Sequence, residues 1–175
     1  RQRVVTFGNG KRMTYDILIY TGHLGELVRM IEPGEAVVRQ AARRLRHNRI
    51  LVVGLGLDRG NADPRSWLYF PAQKFPFFRV THLSNYSRFN VPEDKNHPRS
   101  SLLLEIGLPA GRRVSAGGLM ADSLRGLTTA GLLGPGDRKN IISRFIRETP
   151  AAYPLPTLDR DAALRVIHRY LGRYG

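Results

Sequence analysis

The hydrophobic pattern of the chain switches repeatedly between the period of a strand and the period of a helix. Five segments have the apolar, β-branched or alternating composition that predicts strands, and these are residues 50–57, 66–70, 77–83, 101–106 and 140–148. Four segments repeat apolar residues every three or four positions, which predicts helices, at residues 24–31, 35–46, 116–130 and 160–171. This mixed order predicts an α+β fold, a mostly antiparallel sheet flanked by helices.

The N-terminal segment predicts a β-hairpin. Val4 to Phe7 and Met13 to Tyr20 are strand-like and flank the turn sequence Gly8-Asn9-Gly10. The chain then leaves the hairpin through Thr21-Gly22-His23 and enters the first predicted helix. A sharp turn of this kind can receive a phosphate at the helix N-terminus, although a plain connecting turn is the simpler interpretation.

A glycine pattern in the strand 50–57 imitates a dinucleotide-binding fingerprint. Gly54, Gly56 and Gly60 have a suggestive spacing, but the fingerprint functions only where its glycines open a helix whose amides hold a pyrophosphate. The residues after Leu57 are rich in turn formers and lead to another strand, so we reject the motif.

The length of 175 residues favours one domain with one core, or part of a larger domain. The absence of cysteine excludes disulfides, thiolate metal sites and catalysis by Cys. The five histidines show no spacing typical of metal ligands, so no metal site is predicted. The acidic residues form no obvious catalytic pair, and the sequence offers no candidate catalytic acid, base or nucleophile.

The net charge of +14, from 28 basic and 14 acidic residues, favours an anionic partner. The arginines are scattered along the chain and no Lys/Arg block exceeds two residues, which weakens the case for nucleic acid. A phosphorylated small molecule satisfies the same charge. No window of about 20 apolar residues could span a bilayer, and residues 1–13 lack a signal-peptide core. We therefore expect a soluble, cytoplasmic chain without membrane contact, and the start without Met suggests a piece of a longer protein.

Aromatic residues are concentrated between Trp67 and Pro92. This stretch holds seven of the fourteen Phe and Tyr residues and the only Trp. Arg79 lies among them in a strand-like segment, where a guanidinium needs a carboxylate partner or a bound phosphate. Both explanations of Arg79 are open from the strand alone, because structural ion pairs also hold charges in place.

The same stretch resembles the flavin-dependent UDP-galactopyranose mutases of the eukaryotic type. The family has a W-x-Y-F-P strand followed by P-F-Y-R and S-N-Y-S, and the matching residues here are Trp67, Tyr69, Phe70 and Pro71, then Pro76, Phe77, Phe78 and Arg79, then Ser84, Asn85, Tyr86 and Ser87. The resemblance extends to Leu103-Leu104-Glu105-Ile106, Gly126-Leu127, Gly131-Leu132-Leu133 and the segment from Tyr153 to Arg160. It covers most of the chain.

This resemblance implies a substrate-binding domain for a UDP-hexose. The implied substrate-binding residues are Trp67, Tyr69, Arg79, Asn85, Tyr86 and Tyr153. The grouping of Tyr69 with Arg79 comes from the resemblance, because the loop between their strands permits either register. In the family the reduced flavin of FAD attacks the anomeric carbon of the sugar, which accords with a chain that offers no catalytic dyad.

The resemblance also implies a division of the chain. Residues 1–22 correspond to a hairpin of the flavin-binding domain and residues 23–175 to the substrate-binding domain. Thr21 and Gly22 are the implied cofactor contacts, although the family pattern S-T-M-P-L is replaced here by Tyr20-Thr21-Gly22-His23-Leu24. The Gly-rich FAD-binding unit and the C-terminal flavin-side segment of the family are absent, so we expect these residues alone to bind no FAD and to be inactive.

Three other functions compete with the mutase assignment. An amine oxidase or protoporphyrinogen oxidase of the same flavoprotein superfamily would have an apolar substrate and no need for Arg79. A basic nucleic-acid module and a non-catalytic interaction domain are further alternatives, and loss of oligonucleotide binding with salt would separate the nucleic-acid module from a UDP-sugar site.

Overall fold

A computed structural model describes residues 3–93, 97–108 and 114–174. Within these residues the chain forms seven strands, four α-helices and three short 3₁₀-helices. The strands are β1 (Val4–Thr6), β2 (Arg12–Thr14), β3 (Arg49–Leu57), β4 (Trp67–Tyr69), β5 (Arg79–His82), β6 (Ser100–Leu108) and β7 (Ile141–Thr149). The helices are α1 (Leu24–Met30), α2 (Ala36–Arg44), α3 (Ala116–Thr129) and α4 (Arg160–Leu171). No helix of the described residues is long and apolar enough to cross a membrane.

Five strands form one antiparallel sheet in the order β4-β5-β6-β3-β7. The two central strands, β3 and β6, pair over their full length, from Arg49 opposite Leu108 to Leu57 opposite Ser100. The predicted α+β class is therefore confirmed, and each predicted strand of the sheet and each predicted helix is present, with no end shifted by more than two residues.

One face of the sheet forms the larger core because α3 packs on it. In β3 the side chains of Leu51, Val53, Leu55 and Leu57 point to this face, as strand alternation requires. The fully buried members of the cluster, each exposed by less than 2%, are Val53, Leu57, Phe77, Val80, Leu102, Leu104, Leu127 and Leu133. The opposite face carries exposed side chains, among them Trp67, Tyr69 and Phe145.

A glycine in α3 permits the close approach of the helix to the segment before β5. A Cβ at Gly126 would lie 2.8 Å from both the Phe77 ring and Pro76. The helix begins at Ser115, whose hydroxyl accepts a hydrogen bond from the Gly118 amide at 3.1 Å, as a good N-cap residue does. The contact at Gly126 therefore fixes where α3 lies on the sheet.

The chain divides into two compact units, residues 47–155 and residues 1–46 with 156–175. The first contains the five-stranded sheet and α3, and the second contains the hairpin β1–β2 with α1, α2 and α4. The second unit has its own buried cluster, which consists of Val28, Val38, Ala41, Ala42, Ala163, Ile167 and Tyr170. The expectation of a single core is wrong, because α1, α2 and α4 bury their apolar faces among themselves. The functional boundary at residue 22 stays a prediction.

The hairpin is shorter than the sequence predicts. β1 pairs with β2 from Val4 opposite Thr14 to Thr6 opposite Arg12, and the apolar run from Ile17 to Tyr20 is not a strand. In the described residues this backbone pairing ends with Tyr15, whose amide donates to the Arg3 carbonyl at 3.0 Å. The side chains of Ile17 and Ile19 are consequently 83% exposed.

Candidate functional site

The centre of the candidate site is Arg79 on β5. The β4–β5 register places Tyr69 directly opposite Arg79, and Trp67 opposite Thr81. Because directly opposed residues share a face, the structure settles the register that the loop sequence left open. Trp67, Tyr69 and Arg79 lie together on the face of the sheet opposite α3.

Glu105 on β6 is the ionic partner of Arg79. The two residues are directly opposite in the β5–β6 ladder, and the Glu105 Oε1 atom accepts hydrogen bonds from Arg79 Nε, at 2.9 Å, and from Nη2. Glu105 is only 7% exposed. Burial opposes the positive charge, but hydrogen bonds to Tyr69 and Glu105 and the Glu105 charge outweigh it and raise the Arg79 pKa. Arg79 is therefore held as a permanent, oriented cation.

Tyr153 completes this group from a distant part of the chain. Its hydroxyl accepts from Arg79 Nη2 at 2.9 Å and donates to Glu105 Oε2 at 3.0 Å. Burial and the Glu105 carboxylate both raise the Tyr153 pKa, so the phenol stays protonated and able to donate at neutral pH. We call Tyr69, Arg79, Glu105 and Tyr153 the Arg79 group.

Two donors of the Arg79 group are only weakly engaged. Arg79 Nη1 has a single long contact among the described residues, 3.4 Å to the Tyr69 hydroxyl. Tyr69 is 61% exposed, and its hydroxyl accepts this contact without using its own proton. Because Nη1 and the Tyr69 hydroxyl lie side by side, an anionic or hydroxylated ligand could receive hydrogen bonds from both.

Aromatic rings flank these donors. The Arg79 guanidinium lies 5.3 Å from the centre of the Trp67 ring and 5.9 Å from that of Tyr69, within cation–π range. The Tyr86 ring contacts Trp67 edge-on, with centroids 6.2 Å apart. Trp67 and Tyr86 are each about half exposed, which leaves ring surface for a flat ligand group.

Asn85 has a different place from the other predicted site residues. Its side-chain amide donates to the backbone oxygens of Asp63, at 2.8 Å, and Arg65, at 3.0 Å, and its oxygen accepts from Asn61. These bonds fasten the segment from Asn61 to Arg65, immediately before β4. Asn85 therefore holds the strand that carries Trp67 and Tyr69 and has no described hydrogen bond to the Arg79 group.

Thr21 and Gly22 lie in the other compact unit, between β2 and α1. A Cβ at Gly22 would lie 2.5 Å from the Tyr20 hydroxyl, so the tyrosine ring covers this glycine. The hydroxyl of Tyr20 in turn contacts the backbone oxygen of His23 at 3.4 Å. The role of Thr21 and Gly22 as cofactor contacts stays a prediction.

The fingerprint-like glycines of β3 do not fit the pyrophosphate of FAD. Gly54 and Gly56 lie inside β3 and open no helix, which confirms the rejection of the dinucleotide motif. The Phe145 ring fills the space beside Gly54, where a Cβ would lie 1.8 Å from the ring. The Ser143 side chain fills the corresponding space beside Gly56. Among all the residues that the structure describes, no three His, Asp or Glu side chains are grouped closely enough to hold a metal ion.

Glu105 is the member of the candidate site that sequence reasoning missed. It lies in the apolar run Leu102-Leu103-Leu104-Glu105-Ile106, and a carboxylate inside such a strand needs a partner as much as Arg79 does. Each residue was therefore a signal for the other. The pairing itself could not be read from the sequence because 25 residues separate the two positions and their register depends on the folded sheet.

Solved structures resemble this chain over nearly its whole length, whereas no protein-family model matches it. A crystal structure of reduced UDP-galactopyranose mutase matches 94% of the chain at 30% identity with a TM-score of 0.73. A protein from Exiguobacterium sp. named as a protoporphyrinogen oxidase matches 95% at 13% identity (TM-score 0.60), and a protein from Pyrococcus furiosus 88% at 9% (TM-score 0.56).

The last two likenesses show a shared fold alone. The chain spans 35% of the length of the mutase and 35% and 36% of the other two proteins. The described chain therefore has the fold of about one third of a UDP-galactopyranose mutase.

Proposed function

We propose that this chain is the substrate-binding part of a flavin-dependent UDP-sugar mutase of the UDP-galactopyranose/UDP-galactofuranose type. The observation that carries the proposal is the match to UDP-galactopyranose mutase, at 30% identity over 94% of the chain. The Arg79 group supports it independently, because the Arg79 guanidinium and the Tyr69 hydroxyl are donors of the kind that bind phosphate oxygens.

The Arg79 group can bind a diphosphate through a fixed cation and neutral donors. Arg79 Nη1 and the Tyr69 hydroxyl would donate to phosphate oxygens, and charge-assisted bonds of this kind are roughly twice as strong as neutral ones. The exposed rings of Trp67 and Tyr86 would contact the flat or apolar parts of the UDP-hexose. Glu105 offsets part of the Arg79 charge, so the site favours a ligand that also uses its neutral donors.

The chain's own contribution to the reaction would be binding and orientation. When bound in the complete protein, a reduced flavin supplies the nucleophile for the anomeric carbon of the sugar. We propose that other parts of the complete protein hold the pyrophosphate of FAD, since the fingerprint-like glycines Gly54 and Gly56 lie inside β3 and open no helix. Thr21 and Gly22 are proposed to contact it at the edge of that site, and a cytoplasmic location is proposed for the complete protein.

The geometry favours the mutase over the alternatives. An amine oxidase or protoporphyrinogen oxidase site for an apolar substrate would gain nothing from an exposed Tyr69 hydroxyl beside Arg79 Nη1. Nucleic acid is a weaker candidate because Arg79, the least exposed cation of the aromatic stretch, is already paired with Glu105.

Titration calorimetry with UDP and with an arbitrary oligonucleotide, each at low and moderate salt, tests the proposal. The complete protein should bind UDP with little loss at 0.15 M salt, whereas binding to an oligonucleotide should collapse. It should also convert UDP-galactopyranose to UDP-galactofuranose under reducing conditions. Oligonucleotide binding that survives moderate salt, with no binding of UDP, would overturn the proposal.

A further inference from the structure

Asn48 makes an unusually complete set of bonds to the segment that carries Tyr153. Its side-chain oxygen accepts a hydrogen bond from the Tyr153 backbone amide at 2.8 Å. The backbone amide of Asn48 donates to the Tyr153 carbonyl at 2.9 Å. Its carbonyl accepts from the Ala152 amide at 3.0 Å. The neighbouring residues His47 and Pro154 form an isolated antiparallel bridge. Asn48 thus engages both backbone groups of Tyr153.

The segment needs such a restraint because it has no strand or helix of its own. Residues 153–157 include Pro154 and Pro156, which lack amide donors and force extended geometry. The bridge at Pro154 is its only strand-like pairing among the described residues. The position of the Tyr153 hydroxyl on Arg79 Nη2 and Glu105 Oε2 therefore depends on the backbone bonds that Asn48 supplies.

We propose that Asn48 is a positioning residue for the Arg79 group: its side-chain oxygen fixes the Tyr153 backbone so that the Tyr153 hydroxyl stays between Arg79 and Glu105. In the described hydrogen bonds Asn48 reaches Arg79 only through Tyr153. The inference rests on the proposed function for its consequence in UDP binding. Its structural content, the placement of Tyr153, is independent of that function.

The role of Asn48 requires only an acceptor at its side-chain oxygen. Asn48→Asp retains that acceptor, whereas Asn48→Ala removes it and leaves the two backbone bonds of residue 48 in place. Comparison of these two variants therefore distinguishes the effect of the side-chain acceptor from the effect of the backbone hydrogen bonds of residue 48. Asn48→Ala should weaken UDP binding by the complete protein about two- to tenfold, the range for one hydrogen bond, while Asn48→Asp should stay close to the parent at 0.15 M salt.

A second measurement reports on Tyr153 directly. Labelling tyrosine at ¹³Cζ and titrating by NMR gives the pKa of each phenol, and Tyr153→Phe identifies the Tyr153 signal. In the parent the Tyr153 pKa is raised by burial and by Glu105. In Asn48→Ala it should fall towards the ordinary value because the hydroxyl leaves the carboxylate, and in Asn48→Asp it should stay raised.

The double variant decides between positioning and a merely structural role. If Asn48 acts through Tyr153, Asn48→Ala should cause no further loss of UDP affinity in a Tyr153→Phe background. An unchanged Tyr153 titration in Asn48→Ala, or the same loss with and without the Tyr153 hydroxyl, would overturn the inference. Absence of UDP binding in the parent would instead contradict the proposed function, and the NMR titration would still decide the role of Asn48.

Discussion

Arg79 and Glu105 lie directly opposite each other on neighbouring strands, and the guanidinium donates to one carboxylate oxygen through two nitrogens. Their side chains are only 19% and 10% exposed, so water screens the pair weakly. The stability of the sheet at this point therefore depends on both partners being present, because a charge left alone in such a place costs more than the pair contributes.

Replacement of Glu105 by Gln should lower the free energy of unfolding by about 2–3 kcal/mol, since Arg79 and the Tyr153 hydroxyl both lose a charged acceptor. Urea denaturation of the variant measures this change. The control is Glu148→Gln, which removes a more exposed partner, 43% exposed, from Arg49. That substitution should cost less than about 1 kcal/mol, and equal losses in the two variants would contradict the special weight given to Glu105.

Arg79→Lys should weaken UDP binding by the complete protein by about 1–3 kcal/mol. Lysine keeps the charge but cannot donate to Glu105 and to a phosphate through separate nitrogens in one plane. Calorimetric titration with UDP gives the affinity. Arg125→Lys on α3 serves as the control because Arg125 is 66% exposed and pairs with Asp122 within the same helix. Unchanged affinity in Arg79→Lys would remove Arg79 from the binding site.

His82 should make the fold less stable in mild acid. It is 4% exposed, and neither ring nitrogen has a hydrogen-bond partner within the described residues. Burial lowers its pKa, and the positive charges of Arg65 and Arg59 add to this effect, whereas Asp63, 3.9 Å from Nε2, opposes it. The unfolded chain therefore takes up the proton more readily than the folded chain. The stabilisation that neutral His82 contributes to the free energy of unfolding is fully present above about pH 6.5, and it is lost as the pH falls through the lowered pKa.

Urea denaturation between pH 7.5 and 5.5 tests this pH dependence. His82→Gln should flatten the decline in the free energy of unfolding. The control His168→Gln, at an exposed position on α4, should leave the decline as it is in the parent. A profile that keeps its slope without His82 would assign the acid sensitivity to another group.

Two glycines of α3 should respond to alanine in opposite directions. Gly126→Ala places a methyl group 2.8 Å from Phe77 and Pro76, so α3 must shift, and we expect a loss of about 1–2 kcal/mol despite the better helix propensity of alanine. Gly117→Ala meets no atom within 4 Å and should gain roughly 0.5 kcal/mol. Thermal or urea unfolding of both variants compares them directly. A stabilising Gly126→Ala would show that the helix is free to move.

The chain of residues 1–175 should be colourless after purification and after incubation with FAD followed by desalting. The reason is that Gly54 and Gly56, the glycines with a fingerprint-like spacing, lie inside β3 and open no helix that could hold the pyrophosphate. Absorption at about 450 nm measures retained flavin, the cofactor whose chemistry the proposed reaction needs. A stoichiometrically loaded yellow chain would place the cofactor site within these residues.

The order of strands and helices was predictable because each element has a strong period of its own. The nine-residue strands β3 and β6 are apolar along most of their length, and α3 has its buried Leu119, Leu124 and Leu127 at helical spacing. The end of β2 was not predictable, because the apolar run Ile17 to Tyr20 has strand composition but no strand to pair with in the described part of the chain. Local composition gives a segment a propensity to form a strand, but the strand forms only where another segment is placed to pair with it.

The candidate site was predictable in its residue types and not in its pairings. Arg79 in an aromatic strand indicated a charged partner. The choice between a carboxylate and a phosphate depended on which residue of β6 lies opposite Arg79 in the folded sheet. Asn85 shows the reverse case. Its motif position suggested a ligand contact, and the structure engages its amide with the backbone of Asp63 and Arg65.

β7 is nine residues long and forms an edge of the sheet, so one row of its backbone donors and acceptors has no strand partner in the described residues. Such an edge can recruit a strand from another molecule. Ile142 and Phe145, each about half exposed, would favour that event, whereas Arg144 and Arg147 between and beside them would bring like charges together when two copies meet. We therefore expect these two arginines to oppose the addition of a second copy of the chain at this edge, a consequence of the positive charge that is separate from any ligand.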